Sequence, residues 1–189
     1  MTTGKLIIFS APSGSGKTTI VKELLKIFPQ FEFWISATSR APRGQEQNGV
    51  DYFFLSQEEF RAKVEADEFV EWEEVYNGTC YGTLKSEMER IWSKGNVIIF
   101  DVDVMGGINL KRIFGENARS IFIMPPSVEV LRERLIGRGT DSAETIEKRV
   151  AKAEFEISKA EEFDCVVIND VVADAVAETT KIVEEFLAK

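Results

Sequence analysis

Residues 11–18 read Ala-Pro-Ser-Gly-Ser-Gly-Lys-Thr, an order of residue types suited to holding phosphate. Gly14 and Gly16 open backbone conformations closed to other residues, so successive N–H groups can turn inward around an anion. An apolar run at 6–9 precedes the loop and a helical pattern follows it, so the orphan N–H groups of a helix start face the same anion. In such a loop Lys17 reaches the β- and γ-phosphates of a nucleoside triphosphate, and the Thr18 hydroxyl sits on magnesium. Ala11, Pro12, Ser13, Gly14, Ser15, Gly16, Lys17, Thr18 and Thr19 thus form a candidate triphosphate site. A ligand-free turn is the plain alternative. The run Lys17-Thr18-Thr19 has no packing reason to follow three flexible residues, which argues against it.

Further groups with chemistry lie downstream. Asp101 ends the apolar run 97–100, where many phosphate-loop enzymes keep the acid that holds magnesium or its water; an ordinary carboxylate capping the next turn is the alternative. Asp103, two residues on, projects to the same side if the extended geometry continues. Two carboxylates on one edge require cations or donors to meet them. Arg40 and Arg43 lie three apart beside Pro42, so their guanidiniums could fork onto one phosphate, with the Tyr52 hydroxyl as a further donor. Two loop arginines by themselves are more often solvated than functional. The run 68–76 mixes apolar and acidic residues in alternation, the pattern of a half-buried strand with a solvated acidic face.

The elements that must position these groups follow from hydrophobic periodicity. Short apolar runs at 6–9, 97–100, 120–124 and 165–168, with 33–36 as a fifth, alternate with helical patterns near 18–28, 84–94, 127–136, 142–161 and 172–187. This predicts an α/β fold with a parallel sheet covered by helices. Ligands of such sheets sit beyond the strand carboxyl ends, which groups Ser10, Asp101, Asn169 and Asp170 at one edge. Residues 36–103 break the alternation and read as an insertion for a second ligand, with a short helix near 56–64.

Composition narrows the function. A net charge of −9 over 189 residues argues against nucleic acid or an anionic membrane as partner, so any basic site must be local. The absence of histidine excludes histidine catalysis and histidine metal ligands. Cys80 and Cys165 lie far apart and suggest neither a disulfide framework nor a zinc site. No signal-peptide pattern and no membrane-length apolar run is read, so the expected compartment is the cytoplasm.

Together these residues closely resemble the guanylate kinase family over nearly the whole chain. The likeness rests on Ser13-Gly14-Ser15-Gly16-Lys17-Thr18, Thr38-Ser39-Arg40-Ala41-Pro42-Arg43, Asn48-Gly49-Val50-Asp51-Tyr52, Glu68-Phe69-Val70-Glu71-Trp72, Tyr81-Gly82-Thr83 and Asp101-Val102-Asp103, with residues 118–126 and 135–140, in common order and spacing. Two departures stand out. Ala11 replaces the glycine that usually opens the loop, and the stretch 72–80 between Glu71 and Tyr81 is one residue longer than the family spacing.

The resemblance implies a P-loop NTPase-type fold: one domain over 1–189, with its core at about 1–35 and 96–189, a GMP-binding insertion at about 36–95 and a small helical lid at about 134–150. It implies transfer of the ATP γ-phosphoryl to GMP, and also to dGMP, with Mg2+ entering as MgATP. Arg40, Arg43, Tyr52 and Tyr81 then hold the GMP phosphate, while Ser36, Glu71, Thr83 and Asp103 read guanine. Lys17, Arg134, Arg138 and Arg149 act on the transferred phosphoryl, Thr18 and Asp101 serve the metal, and Asn169 lies near adenine.

Guanine chemistry agrees with that division. Its N1–H and N2–H donors suit carboxylates, which only accept, and its O6 suits a hydroxyl donor. A site built on such pairing rejects an analogue lacking them by roughly 10⁴ or more. Two rival readings remain open: a phosphopeptide-binding module of the family's scaffold type, which lacks an intact phosphate loop and lid arginines, and a kinase for another phosphorylated acceptor. The sequence also leaves homo-oligomer formation open.

Overall fold

The structure, a computed structural model, describes residues 4–76, 78–137, 139 and 142–189. In chain order its elements are β1 (Leu6–Ser10), α1 (Lys17–Ile27), β2 (Phe31–Phe33), β3 (Ala37–Thr38), β4 (Phe53–Phe54), α2 (Gln57–Glu65), β5 (Phe69–Tyr76), β6 (Thr79–Leu84), α3 (Lys85–Trp92), β7 (Val97–Asp101), α4 (Val104–Phe114), β8 (Ala118–Met124), α5 (Val128–Gly137), α6 (Ala143–Ile157), β9 (Cys165–Ile168) and α7 (Val172–Leu187). They form two compact units, residues 32–98 and residues 4–31 with 99–189. The chain passes between the units inside β2 and β7.

A five-stranded sheet has the order β2-β7-β1-β8-β9, with β1 parallel to β8 and β8 parallel to β9. All five residues of β1 are buried, as a strand covered on both faces demands. The expected strand at 33–36 is corrected: β2 ends at Phe33, and Ala37 and Thr38 pair in the other sheet. Helix α4 is an element that periodicity did not reveal, because Gly106 and Gly107 in its first turns lower helix propensity. Two contacts explain it. Asp103 caps it by accepting from the Gly106 N–H at 2.8 Å, and a Cβ at Gly107 would collide with Ser10 Oγ.

The smaller unit carries a four-stranded sheet of order β4-β3-β6-β5. Its β5–β6 hairpin has two register shifts, between Phe69 and Glu71 and between Glu74 and Tyr76. The first puts Phe69 and Trp72, three apart, on one face, where both meet Phe60 of α2 at ring-centroid distances of 4.5 and 6.3 Å. Gly82 sits under that face without a positive φ. A Cβ there would lie 2.8 Å from the Phe69 ring and 2.9 Å from the Glu71 carbonyl, so close approach fixes the residue. Each shift gives β5 one residue more than β6, and between the two shifts Glu71 lies directly opposite Thr83.

In the larger unit α5 and α6 share a core of Leu131, Leu135, Ile146, Val150 and Ala153, with Val128 against it. Ser142 caps α6, and Arg132 pairs with Glu147 across the two helices. Leu135 also lies under the glycine-rich loop, 3.2 Å from where a Gly14 Cβ would stand. Both cysteines are free. Among the described residues no helix is long and apolar enough to cross a membrane. Since Leu135 is fully buried, Leu135→Ala is expected to cost about 2–5 kcal/mol, read as a lower urea midpoint with the slope unchanged.

Candidate nucleotide sites

The loop after β1 forms a cavity of about 210 Å³ lined by residues 11–14 and 16–19. Gly14 and Gly16 hold φ values of 96° and 88°, the left-handed region that glycine enters freely. Ala11 is not among the described residues with positive φ, so its Cβ is tolerated and the departure from the family pattern costs no strain. Among the described residues no side chain caps α1, and no acid lies in its first turn. Its N-terminal field is therefore left to an external anion. Lys17 pairs with Asp101 and also donates to the Val102 carbonyl at 3.2 Å, which keeps the ammonium at the carboxyl end of β7.

Behind the loop, three expected site residues hold one another. Asn169 is only 2 % exposed, and its Nδ2 donates to the Ser15 carbonyl at 2.6 Å. Arg134 donates to the Asn169 carbonyl at 2.9 Å and reaches the Ser15 carbonyl at 3.5 Å. Arg149, from α6, donates to Ser13 Oγ at 2.9 Å. Arg138, the third expected arginine, lies outside the described residues.

In the smaller unit the alternation of β3, β5 and β6 sorts the side chains. Directly opposed residues share a face, so Glu71 with Thr83, Glu73 with Tyr81, and Thr38 with Tyr81 lie on the face away from α2. Arg40 reaches the same cluster. Its Nε donates to the Tyr81 hydroxyl at 3.1 Å, and its guanidinium stacks over Tyr52 at 4.9 Å and Phe54 at 5.5 Å. Tyr52 meets Tyr81 edge-on at 5.9 Å. Arg40, Tyr52 and Tyr81 thus come together as expected.

Glu46 is the residue that sequence reasoning missed. Its two oxygens take Arg40 Nη1 and Nη2 at 2.6 and 2.8 Å, and one also accepts the Arg43 N–H at 2.7 Å. Those bonds hold its carboxyl at about 2, well below the ordinary range, against a smaller opposing effect of burial. The signal was present: an acid three residues after Arg43 in a loop otherwise read only as polar. Arg43 joins the cluster through this carboxylate. Ser36 is half-buried just before β3, and its carbonyl accepts the Phe53 N–H at 2.9 Å.

Glu71 carries the opposite electrostatics. Burial pushes its carboxyl up, a bond from the Thr83 hydroxyl at 2.5 Å pulls it down, and neighbouring Glu73 adds to the rise. The only hydroxyl hydrogen of Thr83 is therefore engaged by Glu71, not directed at a ligand. Asp103 is exposed, and its Oδ1 is engaged in capping α4.

Magnesium binds through one or two protein oxygens together with substrate phosphates and keeps several waters. An exposed Thr18 hydroxyl at the start of α1 and the Asp101 carboxylate fit that donor set. No group of three or more acids, cysteines or histidines among the described residues could hold a metal by itself.

A glycine-rich phosphate cradle between a buried strand and a helix, on a mostly parallel sheet flanked by helices, makes this a P-loop-type α/β nucleotide-binding protein. Residues 3–186 match the family model described as guanylate kinase. The chain is 57 % identical over 187 residues to the guanylate kinase of Bacteroides thetaiotaomicron, covering 99 % of this chain and 92 % of that one. It is 55 % identical to that of Porphyromonas gingivalis over 98 % and 99 % of the two chains. The crystal structure of guanylate kinase from Anaplasma phagocytophilum superposes with a TM-score of 0.68 at 30 % identity, covering 96 % of this chain and 85 % of that one. The chain belongs to the guanylate kinase family.

The raised Glu71 carboxyl generates a prediction with a definite sign. A carboxylate whose folded pKa is raised costs stability when ionised; the cost is absent below its ordinary value of 4.5 and grows as pH rises through the folded value. Glu71→Gln keeps an acceptor for Thr83 and removes the charge. It is expected to raise Tm near neutral pH, by about 2–4 °C per kcal/mol recovered for a chain of this size. The gain is expected to vanish at pH 4, as thermal melts of both proteins across pH will show.

Proposed function

We propose that this chain transfers the γ-phosphoryl of ATP to GMP, giving ADP and GDP, in the cytoplasm. One observation carries the acceptor assignment: a single sheet face presents the Arg40–Tyr52–Tyr81 cluster two residues along β6 from the pair of half-buried Glu71 and buried Thr83. That layout suits a mononucleotide, with a phosphate at one end and base N–H donors at the other. An ionised Glu71 accepts guanine N1–H and N2–H together, whereas adenine offers an acceptor at N1 and leaves the carboxylate opposed. The assignment of Asp103 and Ser36 to guanine rests on the family pattern.

The donor nucleotide belongs to the loop after β1. Backbone N–H groups of residues 14–18 take its phosphate oxygens, and Lys17 moves from Asp101 to the β- and γ-phosphates. Arg149, already on Ser13 of the loop, meets charge developing on the γ-phosphoryl oxygens, and the family pattern adds Arg138. Mg2+, held through Thr18 and Asp101 with the phosphates, would neutralise charge on the bridging oxygens. The GMP oxygen is already anionic, so no general base is required. Positioning and charge neutralisation carry the reaction.

A coupled assay of ADP formation with MgATP tests the reading directly, comparing GMP with AMP, CMP and UMP. Turnover with GMP alone is expected, and Lys17→Met is expected to lower kcat by about 10²-fold or more. Folded protein that turns over none of the four, or uses AMP as well as GMP, contradicts it.

A further inference from the structure

We infer that Asn169 and Arg134 are positioning residues of the phosphate loop, fixing the Ser15–Gly16 peptide so that its N–H faces the triphosphate, and that Asn169 does not read the base. The inference rests on the ATP reading of this loop. A trans peptide carries its C=O and N–H on opposite sides, so whatever holds the one aims the other. Asn169 Nδ2 holds the Ser15 carbonyl at 2.6 Å, and Arg134 approaches the same oxygen while gripping the Asn169 carbonyl at 2.9 Å. The Asn169 N–H is in turn fixed on the Met124 carbonyl at 2.7 Å, which anchors the brace to the end of β8. With the carbonyl tied back, the Gly16 N–H is committed to the other side.

The space between brace and loop is filled. A Cβ at Gly16 would collide with Asn169 Nδ2, so Gly16 is needed both for its positive φ and for the side chain behind it. The amide orientation is set by chemistry, because turning it over would put Oδ1 against the Ser15 carbonyl, two acceptors face to face. Asn169 is 2 % exposed and Ser15 is wholly buried. The residue that the sequence places near adenine thus has its side chain turned inward onto the loop, and the Arg134 guanidinium is engaged by the same brace.

Calorimetric binding of ATP and of inorganic tripolyphosphate to the wild type and to Asn169→Ala and Arg134→Gln separates the roles, with GMP binding and Tm as controls. The expected result is that both variants lose ATP and tripolyphosphate affinity by the same factor, about tenfold for Asn169→Ala, while GMP affinity is unchanged. Arg134→Gln, at a half-exposed position, supplies the answer if the alanine variant does not fold. Loss of ATP affinity with tripolyphosphate unaffected would make Asn169 a base reader and overturn the inference. Unchanged affinity for both ligands, or a parallel fall in GMP affinity, overturns it as well. A wild type that binds neither ATP nor tripolyphosphate removes the ATP reading itself, an outcome distinct from all of these.

Discussion

Lys17 and Arg40, the cations assigned to the two phosphate sites under the proposed function, each rest on a carboxylate of the chain itself, Asp101 and Glu46. A protein of net charge −9 cannot draw polyanions by its overall field and must keep its positive charges local and aimed. Internal carboxylates do this by holding a long, rotamer-rich side chain near its working position before the substrate arrives. The rest of the structure is arranged around those two positions. The buried strands β1 and β7 place Lys17 and Asp101 at neighbouring carboxyl ends, and the loop of residues 40–46 folds Arg40 back over Tyr52 and against Tyr81.

The carboxylates of the proposed phosphate and base sites follow opposite electrostatic rules. Glu46 is exposed enough to remain a solvated ion held by hydrogen bonds, so its carboxyl is pulled down. Glu71 is half-buried and, among the described residues, takes one hydroxyl donor, from Thr83, so the loss of water outweighs that bond and its carboxyl is pushed up. An acid that has lost water without enough donors in return is a stability cost, and such costs persist where a ligand supplies the missing donors. Guanine brings two. The same β-bulge that turns Phe69 and Trp72 together into the α2 core keeps Glu71 on the opposite face, so packing of the small sheet and exposure of its acceptor are one geometric event.

Much of this was legible in the sequence, for reasons that can be named. The buried strands announce themselves as unbroken apolar runs, and the phosphate loop combines glycines, a lysine and a threonine at fixed spacing between two such signals. Helix α4 was not legible, because Gly107 is there to admit Ser10 rather than to serve helix propensity. Nor was the strand β6 of the small sheet, whose Gly82 answers to the Phe69 ring across the hairpin. Glu46 and the inward turn of Asn169 escaped for a common reason: sequence shows that a polar residue follows a strand or sits in a loop, but not which neighbour its side chain meets.

On the proposed function each unit carries its own nucleotide site, with Lys17 serving ATP and Arg40 serving GMP. Calorimetric titration of ATP and GMP separately into the wild type, Lys17→Ala and Arg40→Ala tests it most directly. A crossed pattern is expected, in which Lys17→Ala loses ATP affinity and keeps that for GMP, and Arg40→Ala does the reverse. Variants that lose both ligands together, or lose neither, would contradict it.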